Sequence, residues 1–362
     1  MEELKMMNRK KLNALKYMNV LVLPLLAWIS FNSRGWLTYL PLIESFAIIP
    51  LLELAYTPDA RNLTPEKEEL RKDDPIYDWQ LYIMVPIQFF LLGVFLFSMT
   101  ETNLTLVDKI GRISGMGLMC GVIGINVAHE LGHRKKWHEQ LMAKALLLTS
   151  LYMHFFIEHN RGHHKNVSTK EDPSSARYGE MLYSFWVRSV VFAYLSAWKL
   201  ESKRLRKLGK SPFSVHNEML RFQIIQIVFT LAIGLTFGWI VMGYFIIAAV
   251  IGFLLLETVN YIEHYGLERD KKGDVYERVM PYHSWNSDHK LGRIILFELS
   301  RHSDHHYIAS RKYQILRHID DSPQMPTGYP GMMILATIPP IWFSIMNPRI
   351  RKMKEVEIGK AA

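Results

Sequence analysis

The sequence predicts an all-α membrane protein with about six transmembrane helices and a cytoplasmic helical cap that carries a histidine-rich site for two metal ions. Three observations support this prediction: long apolar runs, a biased distribution of Lys and Arg, and nine histidines in four short clusters. The chain of 362 residues is 49% hydrophobic and 21% charged, and the two kinds of residue alternate in separate runs. Such segregation is typical of a multi-pass membrane protein, and we expect one membrane-embedded domain over residues 1–362.

A bilayer span needs ~20 mostly apolar residues. Six stretches qualify, and the cap is then formed by residues 129–221 and 262–362. The first stretch is short, but no small-residue cleavage site follows it, so we expect it to be retained and not removed as a signal peptide. The predicted spans are residues 17–31, 36–56, 79–100, 113–128, 222–239 and 244–261.

Three further apolar stretches are not predicted to span the bilayer. Residues 141–158 lie between two histidine clusters and are expected to form one helix packed against the bundle. Residues 181–198 mix aromatic and basic side chains, which is typical of an amphipathic helix at the membrane interface. Residues 331–346 are short and contain Pro339 and Pro340, so we expect an interfacial or re-entrant piece.

Basic residues concentrate at the amino terminus, after the second span and after the fourth. By the positive-inside rule, this bias places both termini and all four histidine clusters in the cytoplasm. The net charge of +9 mainly reflects the same bias, although a basic face that docks an acidic partner is an alternative. No nucleic-acid motif is present, so nucleic-acid binding is not expected. The basic residues are Lys5, Arg9, Lys10, Lys11, Lys16, Arg61, Lys67, Arg71, Lys72, Lys199, Lys203, Arg204, Arg206, Lys207 and Lys210.

The histidine clusters follow helical spacing. Residues three and four apart share a helix face, so His129 should lie beside His133, and His159 beside His163 with His164 next to them. By the same rule His302 should pair with both His305 and His306, while His264 ends the sixth span. Imidazole is a common metal ligand, and nine rings suit two ions with four or five ligands each. The candidate ligands are His129, His133, His159, His163, His164, His264, His302, His305 and His306.

The type of metal follows from the available donors. Cys120 is the sole cysteine, which excludes an internal disulfide and thiolate sites such as iron–sulfur clusters. A histidine-dominated site suits iron, zinc, copper or nickel, but nine rings exceed the needs of one zinc ion. Two redox-active ions fit better, with iron the common choice for oxygen activation. Soluble di-iron bundles combine Glu bridges with a pair of Glu-x-x-His motifs, and the chain lacks that full carboxylate pattern, so the site would be unusually rich in nitrogen.

Carboxylates are expected to orient the rings by accepting their second ring protons. Asp304 is the first candidate, since it lies inside a cluster, and Glu130, Glu158, Glu263 and Asp172 follow. An ordinary ion pair is the alternative for each. The remaining histidines are expected to be packed or solvated, although His154 lies about one turn before His159. They are His138, His154, His216, His283, His289 and His318.

Glycines recur along the fourth span. Small residues four apart let helices approach closely in lipid. A second interpretation is a slot beside this helix that guides a thin substrate to His129. The residues are Gly111, Gly115, Gly117, Gly121 and Gly124.

These residues resemble the membrane-bound alkane 1-monooxygenases. The family's histidine boxes match residues 129–133 and 158–164, and its most specific motifs match Asn260-Tyr-Ile-Glu-His-Tyr-Gly266 and Arg301-His-Ser-Asp-His-His306. The likeness extends from Pro50-Leu-Leu-Glu53 to Pro326-Thr-Gly-Tyr-Pro330.

The resemblance implies a function and a location. It implies that medium-length n-alkanes, taken from the membrane lipid, are hydroxylated to 1-alkanols with O2 at two non-haem iron ions. It implies the nine clustered histidines as iron ligands. Electrons would come from a rubredoxin, itself reduced by a rubredoxin reductase, at the bacterial inner membrane.

Alternatives remain open at this point. A fatty-acid desaturase or an aryl-methyl (xylene-type) hydroxylase has the same histidine boxes. An intramembrane zinc protease would use His129 and His133 as ligands and Glu130 as general base, but this leaves seven clustered histidines unexplained. A metal transporter is disfavoured because the clusters lie at helix ends on one side of the bilayer.

Overall fold

A computed structural model of the protein describes residues 14–361, with side chains up to residue 355. The basic residues Lys5, Arg9, Lys10 and Lys11 lie outside the described residues. In chain order, the first seven helices are α1 Lys16–Phe31, α2 Gly35–Ala55, α3 Pro65–Lys72, α4 Pro75–Ser98, α5 Leu106–Gly132, α6 Trp137–Leu148 and α7, residues 155–166. They are followed by α8 Leu182–Lys207, α9 Glu218–Phe237, α10 Trp239–His264, α11 Lys290–Ile295, α12 His302–Tyr307, α13 Tyr329–Ala336 and α14 Pro339–Ala361. A two-stranded hairpin, β1 Lys271–Lys272 and β2 Val275–Tyr276, lies between α10 and α11.

The helical membrane fold predicted from the sequence is confirmed. Among the described residues, α2, α4, α5, α9 and α10 are long and apolar enough to cross a bilayer. The first predicted span corresponds to α1, which is apolar but shorter than these five helices. α1 ends where Asn32 turns its side-chain amide back onto the Trp28 carbonyl, so the polar residues after Phe31 interrupt the apolar run.

Local sequence signals fix several helix ends. Thr105 and Asp108 form a reciprocal capping box that starts α5. The Asp74 carboxylate accepts the Ile76 amide at the start of α4. A single residue, Gly238, separates α9 from α10, and its φ of +95° is a conformation that glycine adopts without strain. α9 and α10 therefore form a tight antiparallel hairpin.

The prediction of one helix over residues 141–158 is wrong. The chain leaves the helix after Leu148, and the Ser150 hydroxyl donates to the Cys120 carbonyl. Leu151 then has a φ of +50°, and helical structure resumes at Phe155. Residues with hydroxyl side chains compete for backbone partners, which explains the break within an apolar run.

The stretch predicted to be interfacial or re-entrant forms a sharp corner. α13 and the following helix meet at an angle of 118°, and only as a bent pair are they long and apolar enough to count as a span. α14 begins at Pro339, whose ring removes a backbone donor and disfavours helical geometry in the residue before it. The amphipathic helix predicted at residues 181–198 is longer than predicted and extends to Lys207.

α5 lies at the centre of the bundle, and its glycines allow close approach on two sides. A Cβ at Gly111 would lie 2.1 Å from the Thr38 hydroxyl, and one at Gly115 would lie 3.4 Å from Pro41. α2 and α5 therefore run parallel and in contact. On the other side, a Cβ added at Gly252 of α10 would lie 2.4 Å from the Cβ of Cys120. Close packing of these helices brings their ends together beneath the cap.

The cap is anchored to the bundle by a buried carboxylate. Glu298 accepts hydrogen bonds from Lys16 at 3.0 Å and Tyr17 at 2.7 Å on α1, and pairs with Arg293 at 2.6 Å. Burial raises the pKa of this carboxyl, but the charges of Arg293, Lys16 and Arg301 and the Tyr17 hydrogen bond outweigh that effect and lower the pKa to about 2.

Candidate metal centre

The nine clustered histidines converge from four separate segments into two adjoining groups. The first group contains His129, His133, His159, His164 and His305, and the second contains His163, His264, His302 and His306. Within each group one ring nitrogen from every residue lies within 4.8 Å of the others. A division of the nine histidines into five and four is the one expected if each of two ions has four or five ligands.

The ring nitrogens of the first group point at a common centre. The Nε2 atom of His129 lies 3.0 Å from that of His305, and the Nε2 of His133 lies 3.2 Å from that of His159. The Nε2 of His164 lies 3.0 Å from that of His159. Two nitrogens that bind one ion at ~2.1 Å and at right angles are separated by about 3.0 Å, so this spacing fits ligands of a single ion.

The second group is fully buried and contains polar atoms without protein partners. The Nε2 atoms of His264 and His302 are 3.2 Å apart. Among the described residues, the Nε2 atoms of His163 and His306 are buried with no hydrogen-bond partner. A buried polar atom without a partner is costly, and a bound cation would satisfy both nitrogens. The donor set of each group therefore fits a nitrogen-binding metal ion.

Helix geometry explains how one cluster serves both groups. Residues 159–163 form a π-helical turn, in which residues five apart share a face. His159 and His164 therefore lie in the first group, whereas His163 turns to the second. The rings of His159 and His163 are neighbours, as predicted, with centroids 5.2 Å apart, but they belong to different groups because the π-helical turn replaces regular α-helical spacing.

α12 divides its histidines in a related way. His302 and His306 are four residues apart and lie in the same group, with ring centroids separated by 4.4 Å. His305 belongs to the first group, although its ring lies beside that of His302, as predicted, with centroids 5.6 Å apart. The rings of His164 and His306, one from each group, have centroids 4.5 Å apart. The two groups are therefore in direct contact through these imidazole rings.

Two of the five candidate carboxylates lie beside the rings. Asp172 is 2.9 Å from the Nδ1 of His163, and it also accepts a hydrogen bond from the Ser175 hydroxyl. Glu263 lies 3.2 Å from the Nε2 of His302 and accepts the Tyr329 hydroxyl at 2.7 Å. Asp172 is thus placed to fix the orientation of His163, and Glu263 lies at the edge of the second group.

The other three candidates have different partners. Asp304 pairs with Arg317 at 2.8 Å and with Arg311 at 3.2 Å, and so ties the loop after α12 to that helix. Glu130 pairs with Arg134 at 2.6 Å. The Glu130 carboxylate therefore contacts an arginine and not the histidine rings. The zinc-protease alternative needs this carboxylate as its general base, so the contact argues against it. The Glu158 carboxyl lies 3.4 Å from the Ser196 hydroxyl.

Burial favours the neutral form of six clustered imidazoles that lie outside the spanning helices. Burial, reinforced by neighbouring histidines, lowers the pKa values of His133, His159, His164, His302 and His306 well below the usual value for histidine. It also lowers the pKa of His305 to about 3. Neutral imidazole is the form that binds metals, so the rings are ready for ligation at neutral pH.

The six remaining histidines lie outside both groups. His154 is buried, and its ring packs against Tyr152 and Tyr194 with centroid distances of 4.2 and 5.3 Å. His283 pairs with Glu277, and His318 pairs with Asp288. The packing of His154 agrees with the expectation that these histidines are packed or solvated, whereas His283 and His318 have carboxylate partners that were not predicted.

An apolar cavity leads to the rings from within the membrane helices. It runs along one face of α5 from Leu118 through Gly121 and Ile125 to His129, and His159 and His302 complete its inner end. Apolar side chains of α2, α10 and α13 and of residues 295–299 form most of the remaining wall. Gly121 packs near Leu255 of α10, which agrees with close helix packing as the reason for a glycine. It also lines the cavity, which agrees with a slot beside α5.

Sequence reasoning missed several residues that support the rings. Tyr329 bonds Glu263 from α13, and Arg311 and Arg317 hold Asp304. Tyr329 belongs to the Pro326–Pro330 motif that the family resemblance had already included. This motif could therefore have pointed to Tyr329 as a residue of the site, but residue spacing could not predict that Tyr329 contacts Glu263.

Comparisons with known proteins agree with this architecture. The profile of the family described as fatty acid desaturase matches residues 112–336. The chain is 41% identical to alkane 1-monooxygenase 2 of Pseudomonas aeruginosa over 92% of this chain and 89% of that protein. It is 37% identical to alkane 1-monooxygenase 2 of Alcanivorax borkumensis over 98% and 94% of the two chains. The xylene/toluene monooxygenase hydroxylase component XylM of Pseudomonas putida is 29% identical over 80% and 78%.

The relatives named alkane 1-monooxygenase match nearly the whole chain at a higher identity than the xylene/toluene component does. The match to the fatty acid desaturase profile begins at residue 112 and leaves out α1, α2 and α4, but it includes all nine clustered histidines. The chain is therefore an oxidoreductase that belongs to the alkane 1-monooxygenase family.

Proposed function

We propose that this enzyme hydroxylates the terminal carbon of medium-length n-alkanes to 1-alkanols, with O2 and two iron ions held by the nine clustered histidines. The observation that carries the proposal is a pair of histidine-only donor groups at the inner end of an apolar cavity. When bound, the irons would supply the reduction of O2 that places one oxygen atom on the substrate carbon. Residues 1–362 would act as one catalytic domain.

The cavity suits a substrate that has no polar group. Each methylene buried from water contributes roughly 0.8 kcal/mol, so a chain of medium length is held by burial alone. Leu118 and His129 are 11 residues apart on α5, which corresponds to about 16 Å of cavity length. A narrow cavity that ends at His129, His159 and His302 presents the end of the chain to the rings, which favours oxidation at the terminal carbon.

The residues around the rings would position the ligands and exclude water. Asp172 holds Nδ1 of His163 so that Nε2 faces the second group. Tyr329 fixes Glu263 at the edge of that group. Every member of the second group is buried, so its environment is dry.

The electron donor would be a rubredoxin, reduced by a rubredoxin reductase. The two histidines that are only half-buried, His133 and His164, both belong to the first group. Lys135, Lys136 and Lys165 are exposed beside them. Such a basic surface attracts an acidic protein and guides its docking, which places the donor near the first group.

The membrane orientation would follow the positive-inside rule. The loop after α2 contacts Arg301 through the Arg61 carbonyl, and α8 contacts the second histidine cluster through the Glu201–Arg161 pair, so the basic residues of both segments lie near the histidine clusters. We therefore place both termini and the metal centre on the cytoplasmic side of the bacterial inner membrane, with alkane entering from the lipid.

Product analysis tests the proposed reaction. The purified protein is loaded with ferrous iron, supplied with O2, reduced rubredoxin and n-octane, and its products are identified by gas chromatography and mass spectrometry. We expect 1-octanol. An alkene from an acyl substrate would indicate a desaturase, and an aryl-methyl alcohol from xylene without 1-octanol would indicate the other hydroxylase class. Either result would contradict the proposed substrate.

A further inference from the structure

The far end of the apolar cavity contains a carboxyl group. α2 and α5 run parallel, and their contacts advance together, with Pro41 beside Gly115. The next turn of each helix places Glu44 level with Leu118, the residue of α5 that lines the cavity furthest from His129. Glu44 also lines the cavity, so it lies roughly 16 Å from the rings, at the opposite end.

Glu44 differs from the other carboxyl groups deep in the spanning helices. Glu53 accepts the Gly292 amide, Glu257 accepts the Tyr152 and Ser189 hydroxyls, and Glu263 accepts the Tyr329 hydroxyl. Within residues 14–355, the Glu44 carboxyl receives one hydrogen bond, from the Ser45 hydroxyl of the adjacent residue at 3.0 Å. Its remaining acceptor positions are therefore available to a molecule in the cavity.

A carboxyl group in the middle of a membrane span is expensive and usually functional. An n-alkane makes no hydrogen bond, so Glu44 contributes nothing to its binding. A chain with a hydroxyl at one end would donate to Glu44 and place its methyl end at His129, His159 and His302. The cavity between the two ends is lined mainly by apolar side chains and suits the methylene chain of such a molecule.

We propose that the cavity also accepts primary alkanols, with the hydroxyl at Glu44 and Ser45, and that the enzyme hydroxylates their methyl end to form α,ω-diols. The inference rests on the proposed function, because it uses the same reaction at the same metal centre. The alkanol, O2, two electrons and two protons give the diol and water. One oxygen atom enters the terminal C–H bond, and the electrons come from the same donor as in alkane oxidation.

A competition assay tests this inference. The iron-loaded enzyme receives equal amounts of n-undecane and 1-dodecanol, whose different lengths identify the origin of each product. We expect both 1-undecanol and 1,12-dodecanediol from the native sequence. In Glu44→Leu, which replaces the acceptor by an apolar side chain of similar size, the ratio of diol to undecanol should fall roughly tenfold, because the buried alkanol hydroxyl loses its hydrogen-bond partner. Glu44→Gln keeps one acceptor oxygen and should give an intermediate ratio.

The control variant is Phe46→Leu, which alters the cavity wall without altering a polar group. It should change both products by similar factors and leave their ratio unchanged. A ratio that stays the same in Glu44→Leu would overturn the inference while leaving alkane hydroxylation intact. If the native enzyme makes neither product, the proposed function fails and the inference fails with it.

A binding measurement provides a readout that does not depend on turnover. In metal-free protein in detergent, 1-dodecanol should raise the melting temperature of the native chain more than that of Glu44→Leu. n-Dodecane should raise the melting temperatures of the two proteins by similar amounts. Equal stabilisation of both proteins by the alkanol would contradict a hydroxyl site at Glu44.

Discussion

Each donor nitrogen in the two groups comes from an imidazole, so the ligands bring no negative charge to compensate two metal cations. The Asp172 carboxylate contacts the Nδ1 atom of His163, and the Nε2 atom of this ring is left free to bind a metal ion in the second group. A carboxylate in this position fixes the tautomer of the ring and increases its basicity. The contribution of a single buried aspartate should therefore be measurable in metal affinity.

Asp172→Asn tests that contribution. The amide keeps the shape of the side chain but loses the charge, and partners of this kind typically contribute 10–100-fold in metal affinity or activity. We expect iron affinity, measured by competition with a chelator, to fall within about that range. Glu171→Gln, an exposed neighbour, is the control and should bind iron like the native chain. Equal affinities of the two variants would contradict an orienting role for Asp172.

The division of histidines into ligands and packed residues gives a second prediction. His164→Ala removes a ring of the first group that also borders His306 of the second. We expect less bound iron and at least a hundredfold loss of alkane hydroxylation. The matched control is His154→Leu, which replaces a buried ring outside both groups by an apolar side chain. It should retain iron, as determined by elemental analysis, and full iron binding by His164→Ala would remove that residue from the site.

At the scale of elements, the π-helical turn of α7 decides which histidine faces which group. The sequence supports the number of rings, the membrane fold and the pairing of His129 with His133, because those follow from composition and regular spacing. It does not reveal the turn at residues 159–163, since a π-helical turn depends on tertiary packing around it. Asp304 is a second example of what the sequence does not reveal. It lies between histidines in the sequence, but its carboxylate forms ion pairs with Arg311 and Arg317.

The separation of α5 and α10 is another property of elements. Gly252→Ala places a Cβ within 2.4 Å of the Cys120 Cβ and 3.2 Å of the Gly117 carbonyl oxygen, so the helices must move apart. Overpacking of this kind costs typically 1–3 kcal/mol, and we expect a lower melting temperature and weaker iron binding, because α5 and α10 both end in candidate ligands. Gly243→Ala on the same helix has no atom within 4 Å of the new Cβ and is the control. A melting temperature for Gly252→Ala no lower than that of Gly243→Ala would refute this account of the contact.

At the scale of the whole molecule, Glu298 joins the cap to α1. Its pKa of about 2 in the folded protein lies below the ordinary value of 4.5, so the folded state binds the proton more weakly than the unfolded state does. The resulting stability is complete above about pH 4.5 and is lost as the pH falls through 2. We expect the melting temperature in detergent to drop over this window.

Glu298→Gln should remove part of that pH dependence and lower stability at neutral pH, because it leaves Arg293 and Lys16 without their shared anion. Glu69→Gln, on the exposed face of α3, should preserve both the pH profile and the melting temperature. If Glu298→Gln shows the native pH profile, other carboxylates must account for the stability of the cap at low pH.

The central claim is that nine imidazoles from separate segments form two adjoining iron sites at the end of an apolar cavity. The most direct test is the metal content of the purified protein, determined by inductively coupled plasma mass spectrometry after reconstitution with ferrous iron and removal of loosely bound metal. The account predicts about two iron ions per chain, one for each histidine group. One tightly bound zinc ion per chain, or iron well below one equivalent, would contradict it.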